Sequence, residues 1–137
     1  MEKHQKSAMC STKAGVFFFW VAVGVLGGCA ALDARPPEEV LKERVQARWD
    51  ALVQGDFKAA YQYLSPGSRA VTSPEGYASS LRPGFWKAAK VDAVTCEKPD
   101  VCDVQLTIEY EFRGSRIKTP LKETWIKEGS SWWFVQK

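Results

Sequence analysis

The constraint that most narrows what this chain can fold into lies between residues 104 and 121. Val104, Leu106, Ile108, Tyr110 and Phe112 alternate with Gln105, Thr107, Glu109 and Glu111, the period of a strand buried on one face and wet on the other. Arg113-Gly114 supplies a turn. A register that sets Glu111 opposite Arg116 also sets Glu109 opposite Lys118, Tyr110 opposite Ile117 and Leu106 opposite Leu121. Opposite charges then meet on one face and apolar groups on the other, so a single antiparallel hairpin satisfies both.

Upstream of Pro83-Gly84 the spacing is helical. Pro37 suits a first helical position, and Glu38 and Glu39 stand where the helix dipole favours negative charge. Leu41, Val45, Trp49 and Leu52, flanked by Val40 and Val53, recur every three or four residues and form one apolar face. Gly55 ends this helix and Asp56 caps a second that carries Phe57, Ala60, Tyr61 and Leu64 and stops before Ser65-Pro66. Ser65-Pro66-Gly67-Ser68 reads as turn chemistry with a serine cap. A third helix runs from Ser73-Pro74-Glu75 to about Leu81, and a last strand covers Trp132 to Val135 after the turn at Gly129. The expected fold class is α+β: N-terminal helices packed on a curved antiparallel sheet of about four strands.

The N-terminal MEKHQKSAMCSTK carries Lys3, Lys6 and Lys13 and is followed by Ala14 to Leu26 without a charge. Thirteen residues fall short of the ~20 a spanning helix needs, and a basic start before a short apolar run and small residues is the pattern of a secretory signal. Leu26, Gly27, Gly28 and Cys29 resemble the lipobox of bacterial lipoproteins. That resemblance implies a signal peptide over 1–28, lipid, palmitate included, on Cys29 and a tether over 29–36, with the domain at 37–137. It also implies a membrane partner through Cys29, and Ala30 after the cysteine favours the periplasmic face of the outer membrane. Removing Lys3, Lys6, Lys13 and Glu2 leaves 16 basic and 15 acidic side chains. Nothing in that balance points to nucleic acid.

In such a compartment Cys96 and Cys102 are expected to form a disulfide rather than remain as two thiols. Zinc would lack ligands, because the only histidine, His4, lies in the leader. No metal or other cofactor is expected. Directly opposed strand residues lie within disulfide reach, so this pair suggests a second hairpin with Val94 opposite Val104.

The stretch WDALVQGDFKAAYQYLSP and the later ETWIKEGSSWWFV resemble the opening and closing of small nuclear-transport-factor-like domains, the superfamily that includes ketosteroid isomerase. The resemblance implies a cone-like, cystatin-like sheet around the helices, a pocket used by some members for catalysis and by others for binding, and a back face available for a homodimer. An enzyme of this kind needs an inward acid or base. Strict alternation from the Cys96–Cys102 pair places Asp92 opposite Leu106 on the inner face, where it would serve as that group. A bulge in the first strand would instead turn Asp92 outward, and this is the preferred arrangement, so no catalytic residue is assigned.

Tyr61, Tyr63 and Tyr77 have the spacing of core tyrosines with hydroxyls at a rim, and a catalytic phenol is the less favoured reading. No nucleophile elbow, zincin helix or phosphate-cradling loop is present. Trp49, Trp86, Trp125, Trp132 and Trp133 are many for one small domain. About three fit a core, and because neighbouring strand residues face opposite ways, Trp132 and Trp133 cannot both enter it. The remainder, with Tyr63 and Tyr77, form the expected surface for an apolar small molecule or another envelope protein. The sequence therefore points to a non-catalytic binding or interaction module. An isomerase-like enzyme and a structural subunit of an envelope complex are the alternatives.

Overall fold

The structure is a computed structural model and describes residues 35–136. The signal segment 1–28, Cys29 and most of the 29–36 tether lie outside the described residues. The order is α1 (Pro37–Gln54), α2 (Phe57–Tyr61), α3 (Pro66–Val71), α4 (Pro74–Ser80), then β1 (Trp86–Lys98), β2 (Val101–Phe112), β3 (Ser115–Glu128) and β4 (Ser131–Phe134). The strands form an open antiparallel meander in the order β1-β2-β3-β4.

Local chemistry sets the helix limits. Pro37 opens α1, and Gly55 closes it in the left-handed region at φ 78°, its N–H reaching Leu52 O at 3.2 Å. Side chains of Asp56, Ser65 and Ser73 accept from the backbone N–H groups of Ala59, Ser68 and Gly76 at 2.9, 3.1 and 3.0 Å. The Ser65-Pro66 segment thus starts a short helix, α3, where the sequence suggested only a turn.

The β2–β3 register is the expected one: Glu111 faces Arg116, Glu109 faces Lys118, Tyr110 faces Ile117 and Leu106 faces Leu121. On the outer face Lys118 meets Glu109 at 2.8 Å, Lys122 meets Asp103 at 2.8 Å and Lys87 meets Glu111 at 3.2 Å. The hydrogen bond and charge of Asp103 raise the Lys122 ammonium pKa above its ordinary value.

In the β1–β2 pair Cys96 faces Cys102 and Val94 faces Val104, and the two cysteines form a disulfide with Cα atoms 4.0 Å apart. The preferred arrangement of the first strand is the one found, and strict alternation is not: Val91, not Asp92, stands opposite Leu106, because a bulge between Val91 and Ala93 inserts an extra residue and shifts the alternation. Val91 is buried and both Asp92 and Ala93 are exposed. At the same place Gln46 of α1 donates to Ala89 O at 2.9 Å and accepts from Val91 N at 3.3 Å, covering part of an otherwise open sheet edge.

The core lies between α1 and the inner sheet face: Leu41, Val45, Trp49 and Leu52 meet Val91, Val104, Leu106, Ile108 and Trp125. The β4 edge is closed by the α2–α3 connection, where Leu64 bridges Phe134 in parallel fashion and Phe134 N donates to Tyr63 O at 2.8 Å.

The Cys96–Cys102 bridge closes a small loop, so its loss relaxes the unfolded chain only modestly. A Cys96→Ser/Cys102→Ser protein is expected to fold and to lose about 2 kcal/mol in a urea titration.

Candidate functional site

Two charged residues stand among the apolar side chains of the core. Arg48 falls within the buried stripe of α1, between Val45 and Leu52. Glu123 lies two residues before Trp125 on β3 and faces Val104, which puts it on the inner side of the sheet. Each residue is only 5% exposed. Arg48 Nη1 donates to Glu123 Oε1 at 2.8 Å.

The carboxylate is further enclosed by two indoles. Trp49 Nε1–H donates to Oε1 at 3.0 Å, and Trp125 Nε1–H donates to Oε2 at 3.0 Å. Arg48 Nη2 donates to the Tyr77 hydroxyl at 3.3 Å, and the Tyr77 ring lies 5.7 Å from that of Tyr61. The guanidinium carbon sits 3.8 Å from the centroid of Phe134, which holds the cation against an aromatic face. Arg48 Nε is buried without a hydrogen-bond partner.

This arrangement binds helix to sheet. Three N–H donors engage the carboxylate, two on Oε1 and one on Oε2, so its orientation is fixed by both the helix and the sheet. Among the described residues, no group of three or more His, Cys, Asp and Glu side chains is placed to hold a metal ion. A cavity of about 230 Å³ on the outer side of the network is lined by Leu121, Lys122, Glu123, Thr124 and Phe134, among others.

The residues singled out in the sequence do not converge on one site. Asp92 accepts from Thr107 Oγ1 at 2.7 Å and lies 3.7 Å from Lys90 Nζ, exposed and away from the core. Trp49, Trp125 and Trp132 are buried, which leaves Trp86 and Trp133 half-buried. Tyr77 belongs to the Arg48 network. Trp86 joins Phe85 and Tyr110 at ring distances of 4.7 and 6.2 Å beside a cavity of about 190 Å³ that Leu81 and Arg82 also line. Tyr63 and Trp133 meet at a different place, around Arg44. Arg48 and Glu123 were missed in the sequence, although each occupies a position whose period alone marks it as inward.

Removing one member of a buried pair strands the other. Glu123→Leu is expected to cost about 3–5 kcal/mol by chemical denaturation. Adding Arg48→Met to that variant should recover most of the loss, because the isolated charge is then gone.

No family model and no curated protein matches the chain. Among solved structures, it is similar to a SEC-C motif containing protein from Psychrobacter arcticus, with a TM-score of 0.57 and 16% identity over 74% of this chain and 60% of that one. It is also similar to a SEC-C motif containing protein from Rhodopseudomonas palustris, with a TM-score of 0.53 and 15% identity over 65% of this chain and 70% of that one. This chain thus spans about 60% of the length of the first of these neighbours. At such identities the likeness shows a shared small α+β fold and nothing about activity.

Proposed function

We propose that the chain is a lipid-anchored protein of the bacterial cell envelope, held at Cys29 on the periplasmic face of the outer membrane, whose domain is a non-catalytic binding or interaction module of nuclear-transport-factor-like type. The observation that carries the non-catalytic part is the Arg48–Glu123 network, in which three N–H donors engage the carboxylate on the inner face where an enzyme of that type needs a free acid or base. Asp92, the alternative, lies outside the core in contact with Thr107 and Lys90.

Two further features support the envelope reading. The Cys96–Cys102 disulfide suits an oxidising compartment, and the lipobox-like Leu26-Gly27-Gly28-Cys29 precedes the domain by a short tether. Recognition then falls to the surface, where Trp86 and Trp133 remain partly open and aromatic side chains commonly anchor partners.

Cells fed labelled palmitate are expected to label the parent protein in the membrane fraction, and Cys29→Ser is expected to abolish label and membrane retention together. Equal labelling of the two proteins would overturn the anchor. For the domain itself, acrylamide should reach the indoles of Trp86 and Trp133 and not those of Trp49, Trp125 and Trp132, as read by fluorescence of single Trp→Phe variants.

A further inference from the structure

Two arginines on different helices share one tryptophan. The Arg44 guanidinium carbon, from α1, lies 5.1 Å from the Trp133 ring centroid, and that of Arg69, from α3, lies 5.0 Å from the same centroid. The two cations are therefore within about 10 Å of each other. Arg44 also lies 4.9 Å from the Tyr63 centroid. All four residues are half-buried.

What distinguishes this cluster is that two guanidiniums converge on one indole, which no other ring among the described residues shows. The outer sheet face pairs Lys118, Lys122 and Lys87 with carboxylates, and Arg48 has Glu123. Among the described residues, no carboxylate stands within ion-pair distance of Arg44 or Arg69. The aromatic rings hold the guanidiniums in place, but they do not cancel their charge. Arg44 is further fixed by its Nε–H, which donates to Trp132 O at 2.6 Å and leaves both Nη groups for another acceptor. Arg69 is held by its contact with the Trp133 ring and makes no side-chain hydrogen bond to another of the described residues.

The geometry points to a phosphate-binding site formed by Arg44 and Arg69 against Trp133 and Tyr63. One carboxylate, with two oxygens, is satisfied by a single guanidinium fork. Two guanidiniums together offer more donors than that and suit the three terminal oxygens and roughly −2 charge of a phosphate monoester. The half-open indole and phenol supply an apolar wall for whatever carries the phosphate. Arg44 lies about 10 Å along α1 from Pro37, near the point where the chain enters the domain, a distance that suits the phosphate of a lipid headgroup as well as that of a soluble ester. The site does not depend on the lipid anchor, although the membrane source does rest on that reading.

The test uses the whole protein in neutral detergent, titrated with glycerol 1-phosphate and followed by tryptophan emission and by ³¹P line width. It is repeated in nanodiscs of phosphatidylcholine with and without phosphatidic acid, where acrylamide quenching reports Trp133. A saturable response to the soluble ester, weakened about tenfold or more by Arg44→Gln or Arg69→Gln and unchanged by Lys118→Gln on the outer face, supports a site for free phosphate esters. Protection of Trp133 only in discs that contain phosphatidic acid, lost in the same two variants, supports the lipid source. Arg69→Gln keeps the test readable if Arg44→Gln disturbs folding, since Arg69 holds no backbone group. No response to either probe, or a response undiminished in a folded Arg44→Gln/Arg69→Gln protein, would overturn the site. Because the detergent arm needs no acyl chain, failure of the anchor at Cys29 and failure of this site remain separable.

Discussion

The contact on which the architecture turns is the buried ion pair between Arg48 and Glu123. It joins the long helix α1 to the third strand across the core, and it brings Trp49, Trp125, Tyr77 and Phe134 into one cluster. Hydrophobic burial alone does not fix how α1 rotates or slides over a sheet, because apolar contacts are non-directional. A guanidinium that must meet one carboxylate, and indoles that must donate to its two oxygens, remove that freedom. The cost of taking two charges out of water offsets much of their attraction, so the pair specifies the packing more than it stabilises it.

This use of the interior leaves no purely apolar core between α1 and the sheet. A sheet that held an apolar, empty cone would invite a small ligand; here the equivalent space holds a buried polar network. The outer sheet face is laced with ion pairs between neighbouring strands. Aromatic groups that the core leaves partly open occur at two separate places, around Trp86 and around Trp133. The second is also where Arg44 and Arg69 converge on one ring.

Much of the fold was legible in the sequence because several independent rules agreed. Alternation, cross-strand charge and the Arg113-Gly114 turn all demanded the same β2–β3 register, and the structure has it. Gly55, Asp56 and Ser73 marked helix ends by chemistry that acts within a few residues. Strict alternation failed at Asp92, since one inserted residue reverses every later face and only the whole sheet shows where the insertion lies. The Ser65-Pro66 turn was extended to a helix by packing of the β4 edge against residues 63–65, a contact between distant parts of the chain. The network at the centre was readable in principle: the trusted hairpin already put Glu123 opposite Val104 on the inner face, and Arg48 lies in the apolar stripe of α1. Neither charge marks itself as buried without its partner, and they are far apart in sequence.

The central claim is that the indoles of Trp49 and Trp125 are locked onto Glu123 for as long as the domain is folded. Hydrogen exchange of their Nε1 protons, resolved by NMR beside the backbone amides, measures that lock directly. The account predicts that both exchange as slowly as the most protected amides of β2 and β3, through global unfolding. Rapid exchange of either indole while those amides stay protected would contradict it, because the carboxylate would then be open to water in the native state.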